Sequence, residues 1–168
     1  TYNDLNQKQP AIDSFKKAIE INPNYPDAHN NLGNTLRDIG DLKASIESFE
    51  WAIAYKHDFA EAHNNLGSAL NDFGRTEDAI QSFKKALTYN SDYPRALFNL
   101  SLTYKEVGNK KLSLKMIEKA LKLSPQWSDA HLELSRLKKY KKNDPQIPIV
   151  HDLVSNDEVS LSDLINYN

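Results

Sequence analysis

Three asparagines, Asn31, Asn65 and Asn99, recur every 34 residues. A primary amide carries both donors and an acceptor, so a row of them at fixed spacing can pair with the main chain of an extended peptide without reading its sequence. Two further rows accompany them, Asn30, Asn64 and Phe98 in one, Asn34, Ser68, Leu102 and Arg136 in the other. The rows turn from polar to apolar along the chain. They suit a ligand with a polar part near Asn30 and Asn34 and a hydrophobic anchor near Phe98 and Leu102, with Arg95, Lys105 and Arg136 available for a carboxylate. The chemistry on offer is recognition.

Catalytic chemistry finds less support. His29, His63 and His131 share one position of the same 34-residue step, too far apart in successive copies to hold one metal, and are expected to fill a packing slot. His151 stands alone. No glycine-rich phosphate loop follows a strand, and no nucleophile, base and orienting group can be assembled from spacing. With no cysteine there is no thiol nucleophile, thiolate metal site or disulfide framework. The expectation is a protein without enzymatic activity, cofactor or metal.

Charge narrows the partners. The 168 residues carry 21 Lys and Arg against 23 Asp and Glu, a net charge of −2, which argues against nucleic acid or an anionic membrane bound through bulk charge. No apolar run approaches the roughly 18 residues of a membrane span. A reducing compartment is permitted, and a cytoplasmic location is the expectation. The chain opens at Thr1 partway through a repeat, as expected of a piece of a longer protein.

The elements that position these rows follow from the same period. Leu5-Asn6, Ile39-Gly40, Phe73-Gly74 and Val107-Gly108 mark corresponding points, as do Ala18, Ala52, Ala86 and Ala120, and Phe15, Phe49, Phe83 and Ile117. Within one period, Ala28, Leu32, Leu36 and Ile39 have the spacing of a helix face ended by Gly40, and Ile46, Phe49, Ala52 and Ile53 form the stripe of a second helix. Each period is a helical hairpin. Pro26 and Pro94 open first helices, where a missing amide donor is harmless, and Pro23 and Pro125 lie in turns behind second helices. Gly33 and Gly67, inside first helices, cost about 1 kcal/mol relative to alanine, so a backbone contact too close for a side chain is expected there; Ser101 and Ser135 are small substitutes.

These residues resemble the tetratricopeptide repeat family. Leu32-Gly33 and Leu66-Gly67, with Leu36, Leu70 and Tyr104 farther on, match its first helix; Ala79, Phe83, Ala86 and the closing Pro125 match its second. Ser45 and Ser113 depart from the first alanine of that second helix, and His57 and Ser91 from the closing proline. The resemblance implies an all-α superhelix, a solenoid of antiparallel hairpins, over residues 1–142, with a partial copy at 1–25, copies at 26–59, 60–93 and 94–127, and a divergent copy from 128. It implies a concave groove lined by the first helices, into which the asparagine rows point. The array Asn31, Asn65 and Asn99 is similar to the asparagine ladder of O-linked N-acetylglucosamine transferases. The carboxylate clamp of chaperone-binding members is not matched, since Asn30 stands where its first lysine belongs.

Residues 143–168 read as a divergent helical extension. The first helix of the fourth register is expected over about 128–142, ending in Lys138, Lys139, Lys141 and Lys142, a run favoured by the helix macrodipole. Asp144-Pro145 reads as the start of a short helix containing Ile147, Val150, Leu153 and Val154, and Ser160 with Asp163 as a capping box. Lys139-Tyr140, Asp144-Pro145-Gln146-Ile147 and Leu161-Ser162-Asp163 resemble the connector of multidomain proteins that carry such repeats ahead of a sulfotransferase domain. The expected function is protein or peptide binding in the groove as the substrate-recruiting arm of a larger protein. The alternative is an assembly scaffold that self-associates through its ends, with Tyr2, Leu5, Ile12 and Phe15 left uncovered at the first of them.

Overall fold

The computed structural model describes residues 2–138 and 147–148, with side chains from residue 8 onward. The described residues form eight α-helices and no strand, the all-α solenoid of hairpins expected from the period. In chain order they are α1 (Tyr2–Ile21), α2 (Pro26–Asp38), α3 (Leu42–Tyr55), α4 (Ala60–Asp72), α5 (Thr76–Tyr89), α6 (Pro94–Glu106), α7 (Lys110–Leu123) and α8 (Ser128–Leu137). The chain falls into two compact units, Thr1–Asp92 and Tyr93–Asn168.

In the first unit the hairpins are α2 with α3 and α4 with α5, and α1 packs on α2. Their turns are set by backbone conformation. Gly40 and Gly74 adopt φ of 85° and 86°, the left-handed region that only glycine enters without strain. There Asp41 N–H reaches back to the Leu36 carbonyl at 3.0 Å and Arg75 N–H to that of Leu70 at 2.8 Å, closing the helix ends in the six-to-one pattern. Asp41 then caps α3, accepting from Ala44 N–H at 3.2 Å. Phe49, Ala52, Phe83 and Ala86 are all but sealed from solvent.

Gly33 and Gly67 answer to a different neighbour from the backbone expected. A Cβ on Gly33 would lie 2.7 Å from the Phe49 ring, and one on Gly67 would lie 2.7 Å from the Phe83 ring. The close partner is the aromatic side chain of the following helix, seated flush on the glycine. Ser45, a departure from the family alanine, donates its buried hydroxyl to the Gly33 carbonyl at 2.8 Å.

The second unit holds the hairpin of α6 with α7, and α8 packed on α7. Gly108 repeats the left-handed turn at φ 76°, and Asn109 caps α7 through Leu112 N–H at 3.2 Å. The core gathers Ile117, Leu121, Ala130, Leu134 and Leu137, with Phe98, Leu114 and Trp127 packed against it. Ser101 faces Ile117's helix where the earlier hairpins set glycine against phenylalanine; its hydroxyl donates to the Ser113 carbonyl at 2.9 Å.

Two boundaries differ from the sequence reading. Leu5-Asn6, aligned with the glycine turns, lies inside the unbroken 20-residue helix α1; asparagine there leaves the chain without the left-handed break that Gly40 supplies. Ile12 is 3% exposed and packs with Leu32 and Leu36, and Phe15 joins the same cluster, so neither is the uncovered residue expected at that end. Helix α8 ends at Leu137, with Lys138 already extended at φ −110° and ψ 135°, short of the expected limit at 142. Lys139, Lys141, Lys142, the Asp144-Pro145 helix start, His151, the Ser160 capping box and the sulfotransferase-like connector lie outside the described residues, apart from 147–148.

Candidate functional site

The asparagine rows lie on α2, α4 and α6, one residue before or at the turn of helix that carries the buried leucines Leu32, Leu66 and Leu100. In the first unit Asn31 is exposed and Asn65 half-buried. Asn30 and Asn64, expected as ligand-reading positions, are instead 2% and 1% exposed. They are not presented to a ligand, because their amides are used within the protein. Asn30 donates to Glu61 Oε1 at 3.3 Å, Asn65 donates to Asn30 Oδ1 at 3.0 Å, and Asn64 donates to Asn65 Oδ1 at 3.3 Å. A chain of amides thus runs from Glu61 through Asn30 and Asn65 to Asn64. Each bond fixes the orientation of the next amide, and Asn65 keeps one further N–H and one further lone pair for another partner. Asn34 is half-buried, as is Ser68, whose hydroxyl donates to the Asn64 carbonyl at 3.2 Å.

In the second unit Asn99 and Leu102 are half-buried and Arg95 is exposed. Phe98 is not a free apolar patch. Its ring lies 4.6 Å from that of Trp127, tilted by 39°, and both rings pack on the core of α7 and α8. Lys105 and Arg136, two of the cations offered for a ligand carboxylate, already flank a carboxylate of the protein. Lys105 pairs with Glu133, and Arg136 Nη1 lies 3.4 Å from Glu133 Oε2. The Glu133 side chain is 6% exposed, against 44% for Lys105 and 53% for Arg136, so the cluster carries a surplus positive charge outward. Arg95 makes no ion pair among the described residues.

The repeated histidines act on the backbone. The Nε2 atoms of His29, His63 and His131 lie 2.9, 2.9 and 2.8 Å from the carbonyls of Pro23, His57 and Pro125, six residues earlier. A carbonyl only accepts, so each Nε2–H donates and pins the turn ahead of its helix. Burial lowers the pKa of His63 from the ordinary 6.5, aided by the Lys85 charge and opposed by the His57 carbonyl. Among the described residues no group of three or more His, Asp or Glu could hold a metal.

The sequence reading missed the partners that organise these rows. Glu61 shares its 34-residue step with Asp27 and Asp129, an acidic position that was not singled out, and Glu133, which ends the asparagine row at its own step, was not read as a partner of Lys105 and Arg136. Trp127, however, belongs to a row that could have been found: Tyr25, Phe59, Tyr93 and Trp127 follow the same 34-residue step. Each precedes a first helix and offers its carbonyl to the amide four residues on, at 3.1 to 3.2 Å.

Comparison with known proteins agrees with this architecture. Tetratricopeptide-repeat family models match residues 1–40, 30–96 and 94–126. No curated protein matches the chain. Among solved structures, MamA shares 25% identity over 89% of this chain and 83% of its own, with a TM-score of 0.72. The PilF protein of Pseudomonas aeruginosa shares 24% identity over 97% of this chain and 74% of its own, with a TM-score of 0.79. YrrB, described as a tetratricopeptide-repeat protein with an unusual peptide-binding site, shares 18% identity over 89% and 74%, with a TM-score of 0.68. No helix among the described residues is long and apolar enough to cross a membrane. With the hairpins, the left-handed turns and the glycine–ring contacts in place, and with repeat models covering residues 1–126, the chain belongs to the tetratricopeptide-repeat family.

Proposed function

We propose that this chain is a non-catalytic recognition module that binds an extended peptide segment of a partner protein along the first helices α2 and α4 of its first unit. The observation that carries the reading is the amide chain from Glu61 through Asn30 and Asn65 to Asn64. An amide already held in one orientation loses little side-chain freedom when it meets a peptide main chain, so more of its hydrogen-bond energy appears as affinity. Asn31, exposed one repeat earlier on α2, extends the row, and Asn99 holds the same sequence position on α6 of the second unit. In the second unit, Arg95 and the outward surplus of the Lys105, Glu133 and Arg136 cluster suit an acidic group or chain terminus of a ligand. Proteins of this repeat type bind proteins and peptides in general, which fits the absence of any assembled catalytic group in the sequence.

In this reading the module works in a reducing compartment such as the cytoplasm and recruits substrates for a larger enzyme. A sulfotransferase is the first candidate for that enzyme, on the resemblance of residues 139–163 to a connector. A glycosyltransferase of the O-linked N-acetylglucosamine type is the second, on the asparagine row. The scaffold alternative loses its main support at the first end, where Ile12 and Phe15 are packed.

The test is a peptide-display selection on the whole chain followed by titration of the selected sequence. Asn65→Ala should weaken binding by about 1 kcal/mol, the worth of one net hydrogen bond, and should also lower the unfolding temperature, since it strips a partner from the buried amides of Asn30 and Asn64; binding is therefore measured well below that temperature. Unchanged affinity would remove the amides from recognition. Light scattering across a concentration series addresses the scaffold: association that survives Asn65→Ala would favour it.

A further inference from the structure

One position of the second helices is lysine in three copies, Lys17, Lys85 and Lys119, and tryptophan in the other, Trp51. The residue before it is Lys16 in α1 and Lys84 in α5, but Glu50 in α3 and Glu118 in α7. Helix α3 therefore shows Glu-Trp where its neighbours show Lys-Lys. Hairpin packing does not require the change: Trp51 is 54% exposed, while Phe49 on the same helix is sealed at 0%. A large indole left in water at a position otherwise given to lysine marks a surface kept for a partner.

Trp51 also walls two cavities of the first unit. One of about 420 Å3, among α1, α2 and α3, is lined by Ile19, Leu32 and Leu36 together with Glu20, Glu47 and Trp51. The other, about 320 Å3, is bounded by Glu47, Glu50, Trp51 and Ala54. Glu20, Glu47 and Glu50 are exposed and make no ion pair among the described residues. The indole is held in place by stacking on Tyr55, with centroids 5.8 Å apart and 21° between planes. Lys16 is the one lysine or arginine lining the larger cavity, beside the carboxylates of Glu20, Asp41 and Glu47. The corresponding cavity one repeat on has no tryptophan and sets Arg75 and Lys85 beside Glu50 and Asp78, so the aromatic wall with unpaired carboxylates is particular to the cavity at Trp51.

We propose that Trp51 and the cavity among α1, α2 and α3 form a second docking surface, which takes an arginine or lysine side chain from a basic segment of a partner protein. The indole face attracts the cation, the carboxylates of Glu20 and Glu47 accept its N–H groups, and the aliphatic stem lies along Ile19 and Leu32. This surface is built on the second helices α1 and α3 with Leu32 and Leu36 of α2, and it uses none of the amides of the peptide row.

An array of capped nonapeptides with arginine, lysine, citrulline or glutamate at the central position, and randomised flanks, tests it with the whole chain. Arginine- and lysine-centred peptides should retain at least tenfold more protein than citrulline-centred ones, which match arginine in shape without its charge. Trp51→Lys restores the residue of the other copies, so its helical circular dichroism and thermal unfolding should be unchanged while the preference falls to parity. Glu47→Gln should reduce the preference in part, and Asn65→Ala should leave it intact. A wild-type chain without the preference, or Trp51→Lys retaining it, overturns the proposal. Loss of the preference in Asn65→Ala would assign the binding to the amide row and overturn it equally.

Discussion

The hairpin of α4 and α5 and the hairpin of α6 and α7 solve one packing problem in two ways. In the former, Phe83 lies flat on Gly67, whose missing Cβ would otherwise sit 2.7 Å from the ring. In the latter, the ring is replaced by Ile117 and the glycine by Ser101, and both are sealed at 0% exposure. The branched side chain leaves room for a Cβ, and the hydroxyl that comes with it is satisfied by the Ser113 carbonyl. Residues 16 apart on facing helices are thus chosen as a pair, and the second pair spares the helix a glycine at the cost of needing a hydrogen bond.

The widest test of this difference removes the ring. Phe83→Ala should destabilise the protein by about 3–5 kcal/mol, as for a buried phenylalanine that leaves a cavity over a glycine unable to fill it. Chemical denaturation followed by circular dichroism measures it, and a loss under about 1 kcal/mol would mean the ring does not anchor the hairpin. Gly67→Ala comes next. Steric conflict with the ring should cost about 1–3 kcal/mol net, even though alanine is the better helix former. Adding Phe83→Ile should recover much of that loss, since it recreates the α6–α7 pairing; strictly additive effects would show that the two positions do not communicate.

Ser101→Gly runs the comparison backwards. It restores the residue of the other hairpins but opposite isoleucine, where glycine gains no ring contact and forfeits a buried hydrogen bond. A loss of about 1–2 kcal/mol is expected, and a gain in stability would contradict the pairing.

The smallest effect concerns the position that is His63 in α4 and Leu97 in α6. Burial holds the His63 pKa below its ordinary 6.5, so the folded state binds its proton less readily than the unfolded chain. The stability this group contributes is complete above pH 6.5 and is lost as the pH falls from there through the lowered value. His63→Leu should flatten that part of the pH profile measured by thermal unfolding between pH 5 and 8. An unchanged slope would place the titration elsewhere.

The features legible in the sequence are those that repeat. Leu32, Leu66, Phe49, Phe83 and the glycine turns recur in phase because every hairpin meets the same steric demands, and their positions agree with the structure. The features hidden from it are contacts between unlike residues. Nothing in the spacing of Gly33 names Phe49 as its neighbour, so a backbone contact was the natural expectation. Asn30 and Asn64 read as surface residues because an isolated amide prefers water, yet Glu61 and Asn65 supply the bonds that make their burial affordable. Glu133 breaks the asparagine row at its own 34-residue step, but that spacing carries no sign of its hold on Lys105 and Arg136. Asn6 shows the converse, a periodic match that failed because the single left-handed residue was missing.

The contact of Phe49 with Gly33 closes a loop of only 16 residues. Loop closure costs entropy that grows with the logarithm of the loop's length, so contacts this near in sequence form early and with a low barrier. Each hairpin can therefore seat its ring as soon as its own second helix has been synthesised, with no strand or terminus from the far end of the chain to wait for. A chain assembled from such closures should fold within microseconds to milliseconds, each repeat acting as the template on which the next one settles.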